Sequence, residues 1–234
     1  MVKYLIFGLT LVQLFNIMPS AEAKSIEERL QGKKKISYSV SFNGMSSGDI
    51  EWEYLGKEKI DGKEVEVLSV NSDTTILNLF DLTSKEKVYL DPSTYLPYKV
   101  ERDLKVFGKD EVVQEYYNQE KGYVKLVRND GQEKVDILKQ DKPIHNILAL
   151  LYFFPDNIAF ESGKWLDFNL PTQKIKIKMV KERFLNVDSQ KKETYFLLGR
   201  GAKHFSLWLD KKNSLPLRLE FVFPVGKVVI SPKD

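Results

Sequence analysis

From Ile36 onward the chain alternates apolar and polar residues with a period of two. Ile36, Tyr38, Val40 and Phe42 alternate with Ser37, Ser39 and Ser41; after Asn43-Gly44, Ile50, Trp52 and Tyr54 alternate with Asp49, Glu51 and Glu53. Successive side chains of a strand point to opposite faces, so the pattern predicts strands with one dry and one wet face. It recurs in EVEV (Glu64 to Val67), in KVYL (Lys87 to Leu90) and in KIKIKM, where Ile175, Ile177 and Met179 oppose Lys174, Lys176 and Lys178. Asp61-Gly62 and Asp130-Gly131 separate neighbouring strands at hairpin spacing. Antiparallel pairing follows, because parallel strands need long crossovers and usually bury both faces.

One segment breaks the alternation. DKPIHNILALLYFFP places Ile144, Ile147, Leu148 and Leu151 at helical spacing, with Asp141 as an N-cap, Pro143 in the first turn and Pro155 as a stop. The predicted helix, Ile144 to Phe154, is too apolar to lie in water and is expected to cover the dry face of the sheet. TTILNLFD (Thr74 to Asp81) fits a strand or a helix equally. Near the N-terminus, SIEER carries a capping box of Ser25 and Glu28, which predicts a short helix.

One stretch is written twice. LDPSTYLPYKVE (Leu90 to Glu101) returns as LDKKNSLPLRLE (Leu209 to Glu220). In each copy apolar residues alternate on both sides of a turn, so each copy reads as a β-hairpin. Asp91 and Asp210 stand where the turn begins, where the side chain can accept a backbone N–H two residues on. Pro97 and Pro216 lack a ladder donor and belong at the first position of the return strand or on an edge. Every repeated position thus has a structural use, which outweighs a catalytic reading of the two aspartates.

The first 23 residues differ from the rest: Lys3, an apolar run from Tyr4 to Met18, Pro19, then Ala21-Glu22-Ala23. This is the pattern of a secretory signal peptide, with cleavage expected between Ala23 and Lys24. The run is short of the ~20 residues that span a bilayer. The expected organisation is therefore a cleaved segment 1–23, an N-terminal segment 24–35 with a short helix, and a single β-rich domain 36–234. The chain has no cysteine, which excludes disulfides, thiolate metal sites, a thiol nucleophile and lipidation of a cleavage-site cysteine. A net charge of +3 with interspersed signs argues against nucleic acid as a partner and for a chain that is soluble after cleavage, in the periplasm or cell envelope.

The hairpin form, aromatic-Leu-Asp, a few residues, Leu-Pro, apolar, basic, apolar-Glu, then Gly108 or Gly226, resembles the outer-membrane lipoprotein carrier (LolA-like) superfamily. More closely, the ordered set ISYSVSFNGMSSGDIEWEYLG, TTILNLFDLTSKEKVYLDPSTYLP, IHNILALLYFFP, ESGKWLDFNL and LWLDKKNSLPLRLEFVFPVGK is similar to an exported bacterial family known as domain of unknown function 3108. An Arg expected after the aromatic and aliphatic residues of IHNILALLYFFP is replaced by Phe153-Phe154. The resemblance implies export and a β-rich fold, and it brings no catalytic residues. The carrier superfamily adds an analogy only: an open half-barrel whose concave apolar face, covered by helices, holds acyl chains.

Chemistry is sparse. His145 and His204 stand in no cluster with ligand spacing, GRGAK (Gly199 to Lys203) lacks the ending of a phosphate loop, and no Gly-x-Ser-x-Gly elbow occurs. No cofactor or metal is implied, and the chain reads as non-enzymatic. The aromatics carry more information, because one helix of roughly 12 residues is too short to cover so long a sheet. Either the sheet closes on its own side chains, or it leaves a cavity. The expected architecture is an antiparallel half-barrel or flattened barrel with one covering helix. Its apolar wall is read as Trp52, Tyr54, Phe80, Tyr98, Ile144, Ile147, Leu148, Leu151, Phe154 and Trp208. The partner implied is a lipid or lipoprotein acyl chain, or, if the core is filled, an envelope protein.

Overall fold

A computed structural model describes residues 30, 32–76, 80–153, 162–187 and 189–233. The leader, the Ala23/Lys24 junction and the expected N-terminal helix lie outside the described residues. The first half runs β1 (Lys35–Phe42), β2 (Met45–Ile60), β3 (Lys63–Ile76), β4 (Phe80–Leu90), β5 (Pro97–Val106), β6 (Lys109–Asn118), β7 (Tyr123–Asn129) and β8 (Glu133–Lys139). A short helix α1 (Ile147–Phe153) then precedes β9 (Leu166–Asn169), β10 (Lys174–Val187) and β11 (Gln190–Arg200). The chain ends with β12 (His204–Asp210), β13 (Pro216–Phe223) and β14 (Gly226–Pro232).

All described strands belong to one antiparallel sheet. Sequential neighbours pair from β1 to β8 and from β9 to β14, and the two runs join where β1 pairs with β14. The sheet is curved and open: its outer strands, β8 and β9, do not pair with each other. The turns follow from sequence. Asn43-Gly44 and Asp61-Gly62 hold positive φ at both residues, the requirement of the tight hairpin turn whose twist matches its strands.

The written-twice stretch forms the same turn twice. Tyr95 and Ser214, at equivalent places, both take positive φ. Their N–H groups donate to the Asp91 and Asp210 carbonyls at 2.8 and 2.7 Å, and those aspartates' own N–H groups donate to Leu96 and Leu215 at 3.0 and 2.9 Å. The Asp91 Oδ1 accepts from the Ser93 N–H at 3.0 Å, and the Asp210 Oδ1 from the Lys212 N–H at 2.8 Å. Pro97 and Pro216 open the return strands as expected. Neither is at an edge, since β5 lies between β4 and β6 and β13 between β12 and β14. Each return strand also carries a bulge, because Leu90 pairs with Pro97 while Tyr89 pairs with Lys99, and Leu209 pairs with Pro216 while Trp208 pairs with Arg218.

A strap compensates for the open seam. Residues 140–146, between β8 and α1, bond to both sides of it. The Ile144 N–H donates to Gln119 Oε1 at 3.0 Å, and Gln119 Nε2 donates to the Ile144 carbonyl at 2.8 Å. On the other side the His145 N–H donates to the Asn169 carbonyl at 2.7 Å, and Gln140 Nε2 to the Pro171 carbonyl at 2.9 Å. Lys174 adds an exposed ion pair with Asp141 at 2.6 Å.

The inner face of the first half is built on Tyr38, Trp52, Tyr54, Leu68, Val88, Leu90, Val100 and Val124, joined by Ile144 and Ala149. That of the second half is built on Ile175, Ile177, Leu197, Phe205, Leu207, Leu209 and Leu219, joined by Leu150. Each fully buried aliphatic of this kind contributes about 1.5–3 kcal/mol.

Candidate ligand-binding site

Where α1 meets the inner face, the side chains leave a gap of about 270 Å³. Its walls are Trp52, Val70, Leu219, Phe221 and Ile230 from the sheet and Ile147, Leu148 and Leu151 from the helix. Asn146 starts the helix as its cap: its Oδ1 accepts from the N–H groups of Leu148 at 2.8 Å and Ala149 at 3.2 Å. That cap turns Ala149 and Leu150 into the core and leaves Leu148 and Leu151 at the gap. A larger groove of about 660 Å³ lies near Leu30, but its walls include Lys33, Lys192, Lys211, Lys212 and Lys233. Two of these lysines are held in ion pairs, Lys211 with Glu182 and Lys233 with Asp49. Size alone does not select a site; apolar walls with a few convergent polar groups do.

Such polar groups stand at one end of the smaller gap. Glu86 lines it beside Ser72 and Ser84. Ser84 and Glu86 share a face of β4 at two-residue spacing, and Ser72 pairs with Ser84 across the ladder. Arg102, opposite Glu86 on β5, donates through Nε to Glu86 Oε2 at 2.5 Å and through Nη1 to Glu115 Oε1 at 3.4 Å. The Tyr117 hydroxyl donates to Glu115 Oε2 at 2.5 Å. Burial opposes the Arg102 charge, but its hydrogen bond to Glu86 and the two carboxylates hold the guanidinium above its ordinary value. Burial, and then the Glu115 charge, push the Tyr117 phenol well above its ordinary range. Arg102, Glu115, Tyr117 and Asn146 also line a second hollow, of about 430 Å³, between β5–β7 and the turn that joins β9 to β10.

The expected wall is only partly assembled here. Trp52, Ile147, Leu148 and Leu151 meet at the gap. Tyr54 is buried in the same core cluster without lining the gap, and Ile144, within the strap, is fully buried. Tyr98 stands on the outer face, against Val65, Val67 and Tyr89, with its hydroxyl donating to Asp61 at 2.8 Å. The bulge is the reason: Tyr98 and Lys99 together oppose Tyr89, so Tyr98 loses the parity it would share with Val100. Trp208 is also outside, because Leu207 and Leu209 take the inner positions of β12; it packs on Phe196 at 4.8 Å and under Arg218. Phe154 and the side chain of Phe80 lie outside the described residues. The helix is shorter than expected, Ile147–Phe153, because Gln119 and Asn169 hold the backbone of Ile144 and His145 extended. The charged trio Glu86, Arg102 and Glu115 was missing from the sequence reading. Parity could have found it: Glu86 is two residues before the inward Val88, and Arg102 two after the inward Val100.

His145 sets a pH response of the strap. Its ring meets Phe168 edge-on at 5.4 Å, and burial pushes its imidazole down to about 4. In the unfolded chain the group titrates near 6.5. Between those values the unfolded chain binds a proton that the folded chain refuses, so stability present above pH 6.5 is lost as the pH falls towards 4. Urea unfolding at pH 7.5 and 4.5 should therefore show the wild type losing about 2.5 kcal/mol more than His145→Phe, from about 1.4 kcal/mol per pH unit. Equal losses would mean that the imidazole is solvated.

Fold and site together define a class, an open antiparallel sheet wrapped round an interior with an apolar gap and one charged end. The chain belongs to the family described as "Protein of unknown function (DUF3108)", whose model matches residues 37–231. Among solved structures, a beta-barrel-like protein of domain of unknown function DUF1849 from Brucella abortus aligns over 86% of this chain and 97% of its own. Identity is 9% and the TM-score 0.55, which is a likeness of fold. A candidate lipoprotein from Parabacteroides distasonis aligns over 86% of this chain and 93% of its own, at 9% identity and a TM-score of 0.29. No curated protein matches the chain. Among the described residues no helix is long and apolar enough to cross a membrane.

Proposed function

We propose that this is an exported envelope protein, non-enzymatic, that binds or carries an apolar ligand such as a lipid or acyl chain between α1 and the inner face of the sheet. The observation that supports it most is the gap of about 270 Å³ walled by Trp52, Leu148, Leu151, Phe221 and Ile230. Burial of ligand carbon would drive affinity at about 25 cal/mol per Å². The helix is the movable wall: it is seven residues long, too short to be stable by itself, so its position depends on the packing that a ligand would share. Export is carried by the signal pattern of residues 1–23. The competing reading is an interaction module with a filled interior, favoured by a volume slightly below the usual 300–1,000 Å³ of ligand sites.

Leu148→Trp separates the two. The added ring has room in the gap, so the melting temperature should stay within a few degrees of wild type while affinity for the neutral probe N-phenyl-1-naphthylamine falls at least tenfold. Loss of folding, or unchanged probe binding, would favour a filled core.

A further inference from the structure

We infer that the ligand of the inner gap has a hydrogen-bond donor at its polar end, an alcohol, amide or ammonium group, and that Glu86 receives it. This rests on the apolar-ligand reading above and adds the chemistry of the head. The Glu86 side chain is 8% exposed. One of its oxygens, Oε2, is held by Arg102, while the other, Oε1, is buried with no hydrogen-bond partner. A buried acceptor left unmade is destabilising, and more so on a charged group. Native structures rarely keep such an atom without a use for it.

Its position gives the use. Glu86, Ser72 and Ser84 form the polar end of a gap whose other walls are apolar except for Tyr38, whose hydroxyl, like the serines', can donate or accept. Serine hydroxyls serve donors and acceptors alike, so Glu86 decides the preference. An ionised fatty acid would set a carboxylate against a carboxylate in a poorly solvated site, where like charges repel strongly. Arg102 cannot relieve this, because its one charge is already shared between Glu86 and Glu115. Among the described residues no lysine, arginine or histidine lines the gap. A donor head instead completes Oε1, and an ammonium also offsets the excess of carboxylate over guanidinium. At ~30 Å³ per water-sized group the gap has room for roughly nine methylene-sized groups, so a ten-carbon probe with its head at Glu86 is long enough to fill it, the chain end emerging at the far side.

Decanol, decylamine and decanoate, kept below micelle formation at pH 7.5, are titrated calorimetrically into the full-chain protein purified without detergent. Decanol and decylamine should each bind at least tenfold more tightly than decanoate. Glu86→Gln, which keeps the shape and removes the charge, should weaken decylamine about tenfold and narrow the gap between it and decanoate. Decanoate binding as tightly as either donor probe would overturn the assignment of Glu86 and leave the cavity reading standing. No binding by any of the three would overturn both. If Glu86→Gln does not fold, the wild-type series decides alone.

Discussion

Replacing Arg102 with methionine should lower the unfolding free energy by about 3–5 kcal/mol, the usual cost of removing one member of a buried ion pair. The side chains of Glu86 and Glu115 are 8% and 10% exposed, and Arg102 bridges them at 2.5 and 3.4 Å. Methionine fills similar volume, so the loss is electrostatic: two carboxylates remain on the inner face without a cation. Two states follow, protonation of a carboxylate or entry of water, and both raise the free energy of the fold. Adding Glu86→Gln to Arg102→Met should recover part of the loss, because one of the stranded charges is then gone. Guanidinium unfolding of the single and double variants measures both steps. A loss below about 1 kcal/mol, the range of exposed pairs, would mean that the trio is solvated and that the gap has no buried charged end.

The second large effect is expected at Gly48. This residue pairs with Val40 of β1 on one side and Thr74 of β3 on the other, next to a register shift between Val40 and Ser41. Its φ is +146°, and a Cβ there would stand 2.1 Å from the Asp73 carbonyl oxygen and 2.6 Å from the Thr74 Cα. Both neighbours are backbone, so the ladder itself must move. Gly48→Ala should cost about 2–6 kcal/mol, combining about 1–3 for the forbidden backbone region with about 1–3 for overpacking. Gly62→Ala is the control: its φ is +80°, but a Cβ there meets nothing within 4 Å, so only about 1–2 kcal/mol is expected. Equal losses at the two glycines would show that β2 and β3 are not held in this register.

Most of the sheet was legible because period-two alternation is a local signal. KIKIKM, the serine-spaced run of β1 and the two Leu-Asp…Leu-Pro turns each announced a strand or hairpin, and the structure forms all of them. What was not legible depends on contacts distant in sequence. The segment around Ile144 has helical spacing, yet Gln119, 25 residues earlier, and Asn169 from the far edge hold it extended. Strand parity failed at Tyr98 because a bulge is an insertion in the pairing, not in the pattern of residue types. The open seam between β8 and β9 decides between the half-barrel and the flattened barrel that the sequence left open, whereas the strap across it was not foreseen, since its bonds run largely through backbone groups that any sequence carries. The polar end of the gap was overlooked for a simpler reason. Glu86, Arg102 and Glu115 carry no motif that singles them out, and only their spacing from Val88, Val100 and Tyr117 points inside, where Glu86 and Glu115 are buried.

On the proposed function, the space between α1 and the sheet is occupied in the cell by a small amphiphile. Solvent extraction and mass spectrometry of the full-chain protein, expressed in a bacterial host and purified without detergent, test it most directly. The wild type should carry a near-stoichiometric apolar compound that is absent from Leu148→Trp purified in parallel. A clean wild-type protein that also takes up no N-phenyl-1-naphthylamine would contradict it, and would make the inner face a packed core.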